Sequence, residues 1–119
     1  MSNARVKPKI AVVGPCGAGK STVVQTLKVE GYNIRSVGQE HSYVADMWAK
    51  LTKPDILIYL DVSLPAIQQR RQISWGQKRL DELRHRLRHA RIHCHLYINT
   101  DELLPDEVAE RIRQFVEAL

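Results

Sequence analysis

Eight residues, Gly14-Pro15-Cys16-Gly17-Ala18-Gly19-Lys20-Ser21, match the spacing G-x-x-x-x-G-K-[ST] at every fixed position. The chemistry of this pattern is the holding of a polyphosphate. Gly14, Gly17 and Gly19 let the backbone turn tightly, so that successive N–H groups can point at one phosphate. A helix opening at Lys20 adds the partial positive charge of its N-terminus. Lys20 is the expected partner of the β- and γ-phosphates. Ser21 is the expected hydroxyl ligand of Mg²⁺, with Thr22 supporting the α-phosphate. Pro15, Cys16 and Ala18 complete the loop. Cys16 reads as a small loop residue, and a thiol tuned by the helix terminus is the alternative. The bland reading of the whole motif is a glycine-rich turn with a chance Lys-Ser.

Such a loop needs a strand before it and a helix after it. Both are legible. Lys9-Ile10-Ala11-Val12-Val13 is an apolar run closed by Gly14 and Pro15, and predicts a buried strand. Lys20 to Glu30 predicts a helix with Val23, Val24 and Leu27 on one face, stopped at Gly31. Tyr32–Val37 predicts a second strand. Ser42 is the expected N-cap of a helix from Tyr43 to Leu51, with Val44, Met47, Trp48 and Leu51 facing inward. Lys53-Pro54-Asp55 breaks it. Ile56–Leu60, ending at Asp61, is the strongest strand in the chain.

A helix over Leu64–Gln72 follows, interrupted at Ser74-Trp75-Gly76. Lys78 to about Ile92 predicts one long helix with Leu80, Leu83, Leu87 and Ala90 on its stripe. Cys94–Ile98 is the fourth predicted strand. Pro105 opens the last helix, with Asp106 and Glu107 in its first turn and Val108, Ile112, Phe115 and Leu119 facing inward. Strands alternate with helices, so the expectation is an α/β fold: a parallel sheet covered on both faces.

With 119 residues, 44% hydrophobic and 26% charged, the chain suits one domain with its own core, spanning residues 1–119. No stretch approaches ~18 consecutive apolar residues, so no membrane-spanning helix is expected. Met1–Lys9 lacks the apolar run of a secretory signal and reads as a polar lead-in. Cys16 and Cys94 are too few and too far apart for a disulfide framework, which makes a reduced, cytoplasmic compartment the expectation. The net charge of +5 is regional: Ala66–His95 holds eight basic residues against Asp81 and Glu82. That segment calls for an anionic partner, either nucleotide phosphate or nucleic acid.

The loop motif, together with Pro54-Asp55-Ile56-Leu57-Ile58-Tyr59-Leu60-Asp61-Val62-Ser63, resembles the P-loop nucleoside and nucleotide kinases. The stretches Leu96–Asp101 and Leu104–Ile112 are similar to the last strand and helix of such kinases. The resemblance is specific at the first motif and moderate elsewhere. It implies a three-layer P-loop NTPase sandwich of about four parallel strands, the first flanked by the Tyr32 and Ile56 strands. It implies ATP and Mg²⁺ as ligands. It also implies that Arg70 or its neighbour Arg71 packs on the base, that Lys78 and Arg79 form a basic lid, and that Asn99, Thr100 and Asp101 touch the adenine edge. A plain strand-ending turn is the rival reading of those last three.

Asp61 ends an apolar strand and invites assignment as a metal-side carboxylate. The resemblance argues against it, because in these kinases the metal-side strand lies on the other side of the first strand. Tyr32–Val37 is the better match, and its end delivers Gly38-Gln39-Glu40-His41-Ser42. Glu40 is then placed near the γ-phosphate, as a metal-water ligand or as general base for an acceptor hydroxyl. The alternative is a capping loop whose polar groups satisfy backbone. The chain departs from full nucleotide kinases between the first helix and the Asp61 strand, where only one strand and one short helix fit. The acceptor pocket is therefore missing, minimal or supplied by another chain, a second copy included.

Weaker constellations remain. His85, His89 and His93 recur every fourth residue beside Cys94 and His95, which is metal-ligand spacing. The helix is densely cationic, which favours a solvated face. Lys78–Arg91 could bind a nucleic-acid backbone, but lacks aromatic interleaving beyond Trp75. Asn99-Thr100-Asp101-Glu102 does not match the N-K-x-D guanine pattern, which favours ATP over GTP. The expected function is Mg²⁺-dependent ATP binding with γ-phosphoryl transfer to a small-molecule or nucleotide acceptor, Lys20 and Glu40 being catalytic. The alternatives are a nucleotide-binding module without transfer and a nucleic-acid-associated ATPase.

Overall fold

A computed structural model describes residues 7–119, so most of the polar lead-in expected at Met1–Lys9 lies outside the described residues. Four strands pair in parallel: β1 (Ile10–Val13), β2 (Ile34–Ser36), β3 (Ile56–Asp61) and β4 (Leu96–Asn99). Their order is β2-β1-β3-β4, so β1 is flanked by the strands expected beside it.

The continuous apolar runs of β1 and β3 feed two cores, because successive side chains point to opposite faces. Ile10 and Val12 of β1, with Ile56, Ile58 and Leu60 of β3, pack against α1 (Lys20–Val29), α3 (Leu64–Arg70) and α6 (Pro105–Glu117). Ala11 and Val13, with Leu57 and Tyr59, pack on the other face against Trp48 of α2 (Met47–Thr52), and against Leu87 and Ala90 where α4 (Gln77–Arg86) meets α5 (Arg88–His93). The result is an α/β sandwich of three layers. Burying each such Leu or Ile contributes about 1.5–3 kcal/mol, and both cysteines are free thiols. No helix among the described residues is long and apolar enough to cross a membrane.

Four local expectations change. The helix expected over Tyr43–Leu51 begins only at Met47, because a 3-10 turn (Gln39–His41) and the Val44 N–H bond to Ser42 Oγ (3.1 Å) take up the preceding chain. Ser42 caps that turn rather than the helix. With under two turns, α2 buries Trp48 alone, and Val44 and Leu51 are exposed. The long helix over Lys78–Ile92 is two helices. At Leu87 the N–H reaches the carbonyls of both Leu83 and Arg84, a tightened turn that breaks the α-helical course. The fourth strand starts at Leu96 rather than Cys94. In α6, Val108, Ala109 and Ile112 are buried, but Leu119 is exposed.

The chain leaves β1 toward β2 on one side and leaves β3 toward β4 on the other. Strand order thus reverses between β1 and β3. In open α/β sheets the crevice beyond the carboxyl ends of the strands at such a point is where ligands bind.

Candidate functional site

The Gly14–Ser21 loop leaves β1 at that switch point. A Cβ on Gly14 would stand 2.0 Å from the Leu60 carbonyl oxygen, so only glycine lets the loop turn this close to β3. The loop ends at Gly19, with φ at 94°, and α1 starts at Lys20. No side chain caps α1 and no acid stands in its first turn, so its N–H groups face outward without a protein acceptor. They open on a cleft of about 650 Å³. Cys16 to Thr22 line it together with Glu40, Arg70, Arg71 and Thr100. Gly14 and Pro15 do not line it. They reach it through Lys20, since both carbonyls accept from Lys20 Nζ.

Lys20 Nζ also donates to Glu40 Oε2 at 2.8 Å. The Glu40 side chain is 4% exposed and that of Lys20 11%. Desolvation of a buried ion pair of this kind offsets much of its Coulomb gain. The other carboxylate oxygen, Glu40 Oε1, is buried with no hydrogen-bond partner. Around the same carboxylate stand Cys16, whose Sγ is 3.7 Å from Oε2, and His41, whose Nε2 is 3.5 Å from that Sγ. Burial, and after it the charge of Glu40, pushes the Cys16 thiol above its ordinary range. Cys16 is thus held protonated at neutral pH, against a tuned nucleophile.

Gln39 and Arg86 hold Glu40 in place, and Gln39 does what the capping-loop alternative expected, its polar groups satisfying backbone. Gln39 is fully buried. Its amide donates to the carbonyls of Val44 and Arg86, and its Oε1 accepts from the Trp48 N–H. Arg86 donates to the Glu40 carbonyl at 3.3 Å and lies 4.5 Å over the Tyr43 ring. The signal for Gln39 was present: it directly follows Gly38, at the end of the strand beside β1.

Arg70 and Arg71 are both exposed and both line the cleft, and they differ in their protein contacts. Arg70 is bound to protein, donating to the Gly17 carbonyl at 2.9 Å and to both oxygens of Thr100. Arg71 is exposed at the cleft. Of Asn99, Thr100 and Asp101, only Thr100 reaches the cleft. Its hydroxyl donates toward the carbonyls of Ala18 and Asp61. Asn99 Oδ1 accepts from the Asp101 N–H, and Asp101 Oδ1 from the Ser63 N–H. These two are the strand-ending turn, not part of the cleft wall.

Asp61 turns away from the cleft. Its carboxylate accepts from Tyr97 at 2.7 Å and from Arg84 at 3.3 Å. Lys78 and Arg79 do not line the cleft either, and Arg79 pairs with Glu82. The basic face is partly spent internally: Arg84 and Arg86 bond as described, and Arg91 lies 4.0 Å over the Tyr97 ring. The histidine row holds structure. His89 accepts from Trp48 Nε1, His93 Nδ1 meets the His89 carbonyl, and His95 Nδ1 accepts from the Leu57 N–H. No protein-family model matches the chain, and no curated protein is similar to it in sequence.

Proposed function

We propose that the chain binds ATP with Mg²⁺ in this cleft and transfers the γ-phosphoryl to a small acceptor, as a shortened relative of the P-loop nucleoside and nucleotide kinases. One observation carries the reading: Lys20, the uncapped start of α1 and the Glu40 carboxylate converge on one cleft at the switch point of the sheet. Phosphoryl transfer is positioning and charge neutralisation, which is what these groups offer. Loop N–H groups and the helix terminus hold the phosphate chain. Lys20 neutralises the β- and γ-oxygens. Arg71 adds charge from the open side.

The oxygen donors present suit Mg²⁺. Ser21 lines the cleft in the first turn of α1 and would hold the ion. The unpartnered Glu40 oxygen can take one of its waters. When bound, the ion supplies charge neutralisation between the phosphates. Glu40 accepts the proton of the acceptor hydroxyl. Arg70 braces the loop through Gly17 and Thr100.

A basic hollow of about 530 Å³ adjoins the 3-10 turn, lined by Tyr43, Lys78, His85, Arg86 and Arg88 together with Asp81 and Glu82. It is the candidate seat for an anionic acceptor. The second reading, a binding module without transfer, draws on the short chain between β2 and β3, which holds only the 3-10 turn and the six-residue α2. Calorimetric titration of ADP and ATP with Mg²⁺ into the wild type and Lys20→Ala tests the common part. Binding lost in the variant supports the cleft. No binding of either nucleotide by folded wild type overturns it.

A further inference from the structure

We infer that Cys16, Glu40 and His41 form a site for a soft, four-coordinate divalent cation of the Zn²⁺ class. Their ligand atoms make a nearly equilateral triangle: Cys16 Sγ to His41 Nε2 is 3.5 Å, Cys16 Sγ to Glu40 Oε2 is 3.7 Å, and Glu40 Oε2 to His41 Nε2 is 3.7 Å. Tetrahedral zinc with bonds of about 2.0–2.3 Å sets its ligand atoms roughly 3.3–3.6 Å apart. A contraction of a few tenths of an ångström closes the site. Among the described residues this is the cluster of metal-ligating side chains whose atoms converge so closely. In the His89–His93 row, Nδ1 of each ring is committed, to Trp48 and to backbone.

A second observation points to a missing cation. Glu40 is buried, its Oε1 has no partner, and its Oε2 is shared between Lys20 and Cys16. Unpaired buried carboxylate oxygens are costly. A metal on the triangle would meet Oε2, the oxygen that Lys20 also meets, and the same carboxylate can offer the partnerless Oε1 as a second donor. The donor set selects the metal class. Thiolate and imidazole suit Zn²⁺, whereas Mg²⁺ takes oxygen ligands. On binding, the Cys16 proton leaves to solvent and the thiolate coordinates, while His41 coordinates through neutral Nε2. Three protein ligands leave a fourth position for water or an anion. The backbone suits the role: Cys16 sits in the turn after β1 and Glu40-His41 in the 3-10 turn after β2, so adjacent parallel strands bring the donors together.

The site draws on the Glu40 carboxylate that the proposed transfer also uses, so metal binding here and that transfer exclude one another, and the metal is tested without nucleotide. The reduced, chelator-stripped full chain is titrated with Co²⁺ and then Zn²⁺, followed by absorbance and calorimetry. One equivalent of Co²⁺ should give a thiolate-to-cobalt charge-transfer band that Zn²⁺ displaces. Cys16→Ser should abolish the band. His41→Ala, at an exposed side chain that the fold does not need, should weaken binding at least tenfold. Cys94→Ser should change neither. If Cys16→Ser fails to fold, the wild type still decides: Zn²⁺ should protect Cys16 from alkylation at least tenfold. A wild type without the band, binding indifferent to His41→Ala, or a band lost in Cys94→Ser instead would each overturn the site.

Discussion

Lys20 Nζ and Glu40 Oε2 stand 2.8 Å apart, joining the first turn of α1 to the 3-10 turn after β2. A phosphate entering the cleft meets a lysine that already has a carboxylate partner. The pair therefore holds Lys20 in a fixed direction rather than leaving a long cationic side chain to be ordered on binding. Glu40→Gln separates positioning from chemistry. It keeps the shape and removes the charge, so Mg²⁺–ATP binding should survive within a few fold. Phosphoryl transfer should fall by about 10²–10⁴, the range for a general base. Matched calorimetry and turnover assays read the two effects. Equal turnover in wild type and variant would remove Glu40 from the reaction.

The loop glycines should differ in what they tolerate. Gly14→Ala drives a Cβ to within 2.0 Å of the Leu60 carbonyl oxygen, so β1 and β3 must separate. A loss of more than about 3 kcal/mol, or failure to fold, is expected. Gly19→Ala meets no atom within 4 Å and suffers only its left-handed φ of 94°, worth about 1–2 kcal/mol. Urea denaturation of the two variants ranks them. The reverse order would contradict the close approach of the loop to β3.

Arg70 and Arg71 are neighbours with different work. Arg70→Ala leaves Gly17 and Thr100 oxygens without their donor and should destabilise the fold by about 1.5–3 kcal/mol. Arg71→Ala should leave stability unchanged within about 0.5 kcal/mol. Instead it should weaken nucleotide binding at low salt, with the difference shrinking as salt rises. Denaturation and calorimetry at two ionic strengths distinguish them.

Two tyrosines set an alkaline limit to stability. Burial, and then the Asp61 charge, raises Tyr59. Burial, and then the hydrogen bond to Asp61, raises Tyr97 above the ordinary value of 10.0. In the unfolded chain both ionise at that ordinary value. The folded state keeps their protons to higher pH, so above about pH 10 the unfolded state binds fewer protons and stability falls. Below pH 10 the contribution is constant. Thermal melts from pH 8 to 11 should show a flat region and then a decline, which Tyr97→Phe makes shallower. A decline beginning near neutral pH would need another titrating group.

Much of the candidate site was legible in the sequence, because it is local. Gly14 to Ser21 are contiguous, and their conformation follows from glycine placement and the strand and helix on either side. Glu40 could be placed near Lys20 only by supposing that the Tyr32 strand lies beside the first strand, and β2 does lie there. Arg70 against Arg71 was not legible. Arg70 ends α3 and Arg71 lies beyond it in extended backbone, and only the position of Gly17 and Thr100 decides that Arg70 bonds. That Gln39 satisfies backbone was one of the two readings of its loop, but its three partners, at Val44, Trp48 and Arg86, were not legible because they come from other parts of the chain.

The sequence by itself determined the alternation of strands and helices, the two-faced burial of β1 and β3, and the phosphate-loop pattern. Each of these rests on periodicity or on residues within one turn of one another. Only the tertiary structure decided the short α2, the break at Leu87, the withdrawal of Asn99 and Asp101 from the cleft, and the meeting of Cys16, Glu40 and His41. Those depend on contacts between residues far apart in the chain. The physical reason is that a buried polar group takes whichever partner the packed layers bring to it, and its own neighbours in sequence do not specify that partner.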